Sequence, residues 1–318
     1  MKKIYTIPIN EKKIFQLYKL WLNNGYEKEK DIDIKKNHLL GSEKEITNIK
    51  LFTYELDDQI KSSCITLYDK KLRTLAGLGE VCTEKKSRGN GYAKELCNDA
   101  KEDFFSNKES EGIFLGTVNP VAQKIYENLG WIQIRNSKVM FNSRQNIDFD
   151  EFIYDFYNNN QSLTLSKGSS EHRIPIIVYF LSEINEFKVD LNAGIIGNNF
   201  SSMCLSAYNK FESIRNNFGD WFVISDIRNK IFAISTIKNI DENNIRIDGN
   251  YKKNYKNEFI KLIKSNIDSV NNLNLNSIYV NILEKDLEKK EIFYQLGFIE
   301  KKEKIIIEGK IFSTLILN

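Results

Sequence analysis

The sequence predicts an α/β fold in two consecutive domains, and three observations carry that expectation. The chain has 318 residues, more than one typical domain and enough for two of about 150. Strand-like runs bounded by turn residues alternate with segments whose apolar residues recur every three or four positions. The same order of elements then returns in the second half, where Glu291-Ile292-Phe293-Tyr294-Gln295-Leu296-Gly297-Phe298 echoes Ile125-Tyr126-Glu127-Asn128-Leu129-Gly130-Trp131.

Residues 2 to 9 read as a first strand. Ile14, Leu17, Tyr18, Trp21 and Leu22 then form one apolar stripe, a helix that stops at Gly25. The charged run from Tyr26 to Lys36 reads either as a second helix or as a loop, and His38 just beyond it as ordinary surface. Three strands follow, Asn48 to Leu56, Gln59 to Tyr68 and Arg73 to Thr83. Asp57-Asp58 and Asp69-Lys70-Lys71 turn between them, so they read as an antiparallel meander. A helix runs from near Gly91 to about Ser106 with Ala93, Leu96, Cys97, Ala100 and Phe104 on its apolar face, and Gly112 to Val118 is a short buried strand. Asn119-Pro120 is a helix N-cap with proline at the first helical position. Ala122, Ile125 and Leu129 are that helix's packing stripe, and Gly130 closes it before Trp131 opens a strand.

Residues 136 to 170 are rich in Asn, Ser, Gln and Asp apart from the apolar cluster Phe149 to Tyr157. They read as a crossing between a first domain at 1–145 and a second at 160–318. The second domain is expected to hold a helix after Pro175, strands at Trp221–Ser225, Lys230–Ile237 and Asn244–Asp248, a helix with Phe259, Ile260, Ile263 and Ile267, and a strand at Ser277–Ile282.

A hydrophobic fraction of 41% supplies two cores, and 46 basic against 43 acidic residues leave a net charge of +3, too little to argue for nucleic acid. No stretch approaches the roughly 18 apolar residues of a membrane span, and the N-terminus lacks the apolar run of a signal peptide. Cys64, Cys82, Cys97 and Cys204, with His38 and His172, have no metal-binding or disulfide spacing. A cytoplasmic protein with reduced thiols, no metal and no membrane partner is the expectation. Oligomeric state is left open.

From Val81 to Ala93 the order is strand, glycine turn, helix. The first N–H groups of a helix lack intrahelical partners and lie at the positive end of its dipole, which suits a phosphate. Gly89 and Gly91 let the backbone bend with positive φ and approach a ligand closely. Arg88 adds a planar fork of donors. A plain turn is the competing reading. A P-loop is ruled out because Gly91 is followed by Tyr92-Ala93, and a dinucleotide fingerprint because position 94 is Lys94.

Together with the downstream segment, this stretch resembles the acetyl-CoA-binding region of the GCN5-related N-acetyltransferase (GNAT) superfamily. Arg88-Gly89-Asn90-Gly91-Tyr92-Ala93 fits the family's Arg/Gln-x-x-Gly-x-Gly/Ala. Asn119, Ala122, Tyr126, Leu129, Gly130 and Trp131 stand at the spacing of Asn-x-x-Ala-x-x-x-Tyr-x-x-Leu-Gly-Phe/Trp. The resemblance implies tandem acyl-CoA N-acyltransferase domains, each a mixed, mostly antiparallel sheet flanked by helices, with acetyl-CoA as co-substrate, an amine acceptor and no metal. It also implies that the thioester lies where strands splay apart after Val81 and beside Val118. The strand end Val81-Cys82-Thr83 would then hold the pantetheine, the Arg88 to Ala93 loop the pyrophosphate, and Asn119 would lie along the pantetheine while capping its helix. The region between the first two helices would border the acceptor.

Two residues carry the chemistry in this reading. Tyr126 would protonate the departing thiolate, against a reading as a half-buried packing aromatic. Glu80 would take the acceptor's proton, against a reading as a solvated or ion-paired strand residue. Cys82 reads as an apolar filler, since transfer in the family is usually direct.

Aligning Gly297 with Gly130, an offset of 167, places Phe293 on Tyr126, Asp286 on Asn119 and Tyr255–Ile260 on the Arg88–Ala93 loop. The second copy then lacks the arginine, both glycines and the tyrosine hydroxyl, and Glu258 sets a carboxylate against the place of a pyrophosphate. It resembles the degenerate half of a tandem acetyltransferase. The expected function is acetyl transfer from acetyl-CoA to a primary amine, directly, in the first domain. The alternatives are a non-catalytic acyl-CoA-binding sensor or scaffold, and a protein-interaction role for domain two. The fold alone does not select among small amines, amino sugars, peptide N-termini and protein lysines.

Overall fold

The computed structural model describes residues 1–25, 32–158, 162–183, 185–202, 206–216, 218–270 and 277–317. The chain divides into two compact units, Met1–Phe156 and Tyr157–Asn318.

The first unit begins with β1 (Lys2–Thr6), α1 (Glu11–Asn23) and α2 (Ile32–Leu39). Asn10 caps α1, its side chain accepting from Lys12 N. Of the charged run from Tyr26 to Lys36, residues 26–31 lie outside the described residues and the rest belongs to α2. The meander follows as β2 (Thr47–Leu56), β3 (Gln59–Asp69) and β4 (Leu75–Thr83), with Asp57 and Asp58 both at positive φ in its first turn. Next come α3 (Tyr92–Phe105), β5 (Gly112–Gly116), α4 (Pro120–Glu127), β6 (Ile132–Gln133), β7 (Val139–Ser143) and α5 (Phe149–Asn158). The seven strands make one sheet in the order β1-β2-β3-β4-β5-β7-β6. Only the β4–β5 pair is parallel.

Alternation along the strands loads both faces. Ile49, Leu51, Ile65 and Cys82 pack with Leu17 and Trp21 of α1. Phe52, Cys64 and Leu78 pack with Leu96, Cys97 and Phe104 of α3 and with Tyr126 and Trp131. The sequence does not announce β7, because Val139, Met140 and Phe141 are too short an apolar run among polar neighbours to stand out. It is buried along its whole length, between β5 and β6.

Near the end of β2, beside the edge strand β1, the carboxylate of Glu55 is about 1% exposed. It accepts from Tyr5 Oη (2.7 Å), Lys13 Nζ (2.9 Å) and Lys3 Nζ (3.0 Å). Burial alone would push its pKa up. The Tyr5 hydroxyl and the Lys13 and Lys3 ammoniums overcome that and hold it at about 2. A folded-state pKa below the unfolded one adds stability that is complete above the usual carboxylate range and is lost as pH falls toward 2. We therefore expect Glu55→Gln to lower stability at neutral pH by about 3 kcal/mol and to flatten the acid limb of a denaturant-stability against pH curve. An acid limb identical to that of the parent chain would refute the assignment.

The second unit contains β8 (Thr164–Lys167), α6 (Pro175–Ser182), β9 (Val189–Asp190), β10 (Ile195–Ile196), α7 (Ala207–Arg215), β11 (Asp220–Ser225), β12 (Ile231–Asn239), β13 (Asn244–Tyr251), α8 (Lys256–Val270), β14 (Ser277–Leu283), α9 (Leu287–Gln295), β15 (Ile299–Ile307) and β16 (Lys310–Leu317). Its large sheet runs β8-β11-β12-β13-β14-β16-β15, again with a single parallel pair, β13–β14. Counted along each unit's main sheet, the two orders are the same. The fold is therefore two tandem α/β domains with mixed seven-stranded sheets flanked by helices. α7, β8, β9, β10, β15 and β16 lie beyond the elements expected from the sequence.

Candidate active site

In the first unit β4 and β5 pair only from Leu75 to Gly77 against Gly112 to Phe114. β4 continues to Thr83 on β3, so the two strands part and leave its last residues without β5. Just there the β3 ladder shifts: Ser63 faces Cys82 and Ile65 faces Gly79, so Glu80 and Val81 stand against Cys64 alone. This is a β-bulge, and Glu80 takes φ +53 in it. A left-handed non-glycine residue costs about 1–2 kcal/mol and persists only where its surroundings hold it. Ser63 Oγ donates to Glu80 O (2.9 Å) and accepts from Trp21 Nε1 (3.1 Å), so one buried hydroxyl is committed in both directions. On the side-chain end, Glu80 Oε1 accepts from Lys35 Nζ at 2.9 Å, and that ammonium lies 5.7 Å from the centre of the Trp21 ring. Glu80 is thus ion-paired, and its partner Lys35 lies on α2, just after the region expected to border the acceptor.

Val81 and Thr83 are partly exposed and Cys82 is buried among the α1 core residues. Burial pushes the Cys82 thiol up to about 11, against the opposing pull of Arg88. Beyond Thr83, a short 3₁₀ turn at Lys85–Ser87 leads into the glycine loop. Arg88 Nε donates to Thr83 O (3.2 Å) and Asn90 Nδ2 to Ser87 O (3.0 Å), which tie the loop down at both ends. Gly89 and Gly91 have φ +85 and +77, and a Cβ at either would meet nothing within 4 Å. Gly91 is the N-cap of α3, and no side chain caps that end. Tyr92 stacks on Tyr54 with centroids 3.8 Å apart, anchoring the first helical turn to β2, and Ala93 is partly buried. The result is a helix N-terminus facing open space with its donors unspent on side chains, beside the end of β4. These residues fit the pyrophosphate of a CoA thioester.

The next helix is different. Asn119 Oδ1 accepts from Val121 N (2.9 Å) and Ala122 N (3.4 Å), so α4 is satisfied by its own cap. A cavity of about 290 Å³ opens there, lined by Thr117, Val118, Pro120, Gln123, Gln133, Lys138 and Met140. Tyr126 is 6% exposed and meets Trp131 edge to face at 6.3 Å, so its ring belongs to the core beneath α3. Gly130 closes the helix at φ +92.

The second unit repeats the frame without these features. Asp286 caps α9 as Asn119 caps α4, and Gly297 has φ +89, so the offset of 167 holds at both positions. Phe293, in the place of Tyr126, is fully buried. The offset slips by three residues at the preceding helix: α8 begins at Lys256, after a 3₁₀ turn at Lys253–Tyr255 that contains no glycine, and Glu258 lies in its first turn. The β12–β13 ladder runs from Ala233–Tyr251 to Asn239–Ile245 without a bulge. β13 and β14 again pair over only three residues and part. The parting strands are covered by the chain's own segment: Asn250 bonds both N and O of Val189 (3.0 and 3.1 Å), and Asp248 accepts from Leu191 N (2.8 Å). Lys289 Nζ reaches Val189 O (3.2 Å) and Asp248 Oδ1 (2.8 Å), and Val189 packs with Leu283 at the end of β14.

In the first unit the sheet thus opens between β4 and β5 beside a glycine-led helix end that no side chain caps. Residues 35–145 match the family model of the acetyltransferase (GNAT) domain. Among solved structures, the chain is similar to mutant forms of the spermidine/spermine N-acetyltransferase SpeG from Vibrio cholerae, at 17% identity and TM-score 0.36 over 49% of this chain and 94% of that one. It is also similar to an acetyltransferase of the GNAT family from Staphylococcus aureus Mu50, at 17% identity and TM-score 0.38 over 48% and 98%. No curated protein matches the sequence. Among the described residues no group of three or more His, Cys, Asp or Glu is placed to hold a metal, and no helix is long and apolar enough to cross a membrane.

Sequence reasoning misses Ser63 and Lys35 as partners of Glu80, and Trp21 as the partner of both. Gly77 and Gly79 within β4 are the one available signal, since glycine inside a strand often marks a bulge or a close backbone approach.

Proposed function

We propose that the first unit transfers an acetyl group from acetyl-CoA directly to a primary amine, and that the second unit keeps the fold without holding CoA. The observation that carries this is the Arg88–Ala93 loop, with two positive-φ glycines opening onto an uncapped helix end beside the bulged end of β4. In this reading the α3 N–H groups and Arg88 hold the pyrophosphate, the backbone at Val81–Thr83 orients the pantetheine, and Asn119 lies along it. The bound thioester supplies the activated acyl group. Glu80 draws a proton from the acceptor ammonium, and Tyr126 gives one to the leaving sulfur. A thiol with a pKa pushed up to about 11 is a poor nucleophile at neutral pH, which supports direct transfer over a Cys82 acyl-enzyme.

A calorimetric titration with acetyl-CoA tests the reading. One site per chain is expected, weakened about tenfold or more in Arg88→Ala as a charge-assisted contact is lost. Two sites would make the second unit a CoA binder as well, and none would reduce the loop to a turn.

A further inference from the structure

We propose that Lys35 is itself an acyl acceptor, its amine standing on Glu80 where an external amine is deprotonated, and that the chain acetylates Lys35 when no other amine is supplied. The inference rests on the acetyltransferase reading of the first unit. Lys35 Nζ is 2.9 Å from Glu80 Oε1, and the two side chains are only 24% and 22% exposed. Glu80 sits three residues past Gly77, the last β4 residue paired with β5, so the ion pair lies where β4 leaves its neighbour. The Trp21 ring lies 5.7 Å from the ammonium, while Trp21 Nε1 and Ser63 fix the backbone that carries Glu80. A primary ammonium held against a carboxylate with an aromatic face nearby is the chemistry the acceptor itself must offer.

The step balances without any further reactant. Glu80 accepts one proton from the Lys35 ammonium. The freed nitrogen lone pair forms the C–N bond to the thioester carbonyl carbon, and the C–S bond breaks with its electrons on sulfur. Sulfur takes the Tyr126 proton, the second nitrogen proton restores Tyr126, and the Glu80 proton passes to water. The products are an amide at Lys35, free CoA thiol and one proton. The amide carries no charge, so it no longer pairs with Glu80.

The full chain, incubated with acetyl-CoA and no amine, is mapped by mass spectrometry beside Lys35→Arg, Glu80→Gln and Gly91→Glu. Lys35 is expected to gain one acetyl group about tenfold faster than exposed Lys85 and Lys86, and about tenfold slower in Glu80→Gln, as for a lost general base. Lys35→Arg keeps a cation for Glu80 and should reduce total uptake to the level of the surface lysines. Added butylamine should compete with the Lys35 reaction. A Lys35 rate equal to that of Lys85 and Lys86, or unchanged in Gly91→Glu, is plain chemical acetylation and overturns the proposal. If the chain acetylates butylamine but never Lys35, the proposal falls and the acetyltransferase reading stands. If calorimetry finds no acetyl-CoA binding, both fall.

Discussion

Gly91→Glu is expected to abolish acetyl-CoA binding while leaving the fold intact. At φ +77 any side chain costs about 1–2 kcal/mol, but a Cβ there meets no atom within 4 Å, so nothing has to move. A carboxylate at this end is favourable for α3 itself, because it can take the free N–H groups and complements the helix dipole. The same two effects exclude a pyrophosphate, whose donors are now occupied and whose charge is repelled. The dissociation constant should rise by about a hundredfold or more, some 2.7 kcal/mol. Gly91→Ala separates the backbone from the charge and should lose far less. Titration calorimetry reads the affinity and thermal melting the fold. A Gly91→Glu chain that melts near the parent and binds acetyl-CoA as well as the parent would falsify the cradle.

Tyr126→Phe should lower kcat by about a hundredfold and leave acetyl-CoA affinity unchanged. The ring is 6% exposed and keeps its edge contact with Trp131 in the variant, so the packing beneath α3 is retained. Loss of one hydroxyl hydrogen bond changes stability by about 1 kcal/mol. On the proposed reading what disappears is the proton for the leaving sulfur, so the effect belongs in kcat. Unchanged turnover with butylamine would assign Tyr126 to the core and leave the leaving group to water. A sensor or scaffold has no turnover to lose, and the same assay separates it from an enzyme.

Much of the site is legible in local chemistry. The positive φ of Gly89 and Gly91, the Asn119-Pro120 cap and the Gly130 closure each depend on residues within a few positions of one another, and residue type announces them. The meander is equally local, with aspartate turns between β-branched runs. What stays hidden depends on distant partners. The bulge at Glu80 is set by register against β3 and by a hydroxyl 17 residues away. Lys35 reaches Glu80 across 45 residues, from a charged run that the sequence leaves open between a helix and a loop. β7 carries Asn142 and Ser143 into a buried strand, where tertiary packing overrides their weak strand preference. In the second unit the fixed offset fails at α8, because α8 is one residue longer than α3 and β14 two residues longer than β5, so the start of α8 lies three residues farther from Gly297 than the start of α3 lies from Gly130.

The segment at Val189–Leu191, held by Asn250, Asp248 and Lys289, is an occupant that the second unit's chain supplies to its own parting strands. A tethered occupant has an effective concentration set by the chain itself, which neither dilution nor a competing metabolite changes. On the proposed reading the folded second unit is therefore indifferent to acetyl-CoA level. The first unit, once it binds, gains RT ln(1 + [L]/Kd) of stability as that level rises. In a thermal scan across acetyl-CoA concentrations, one part of the chain would report the thioester pool and the other would serve as its internal reference.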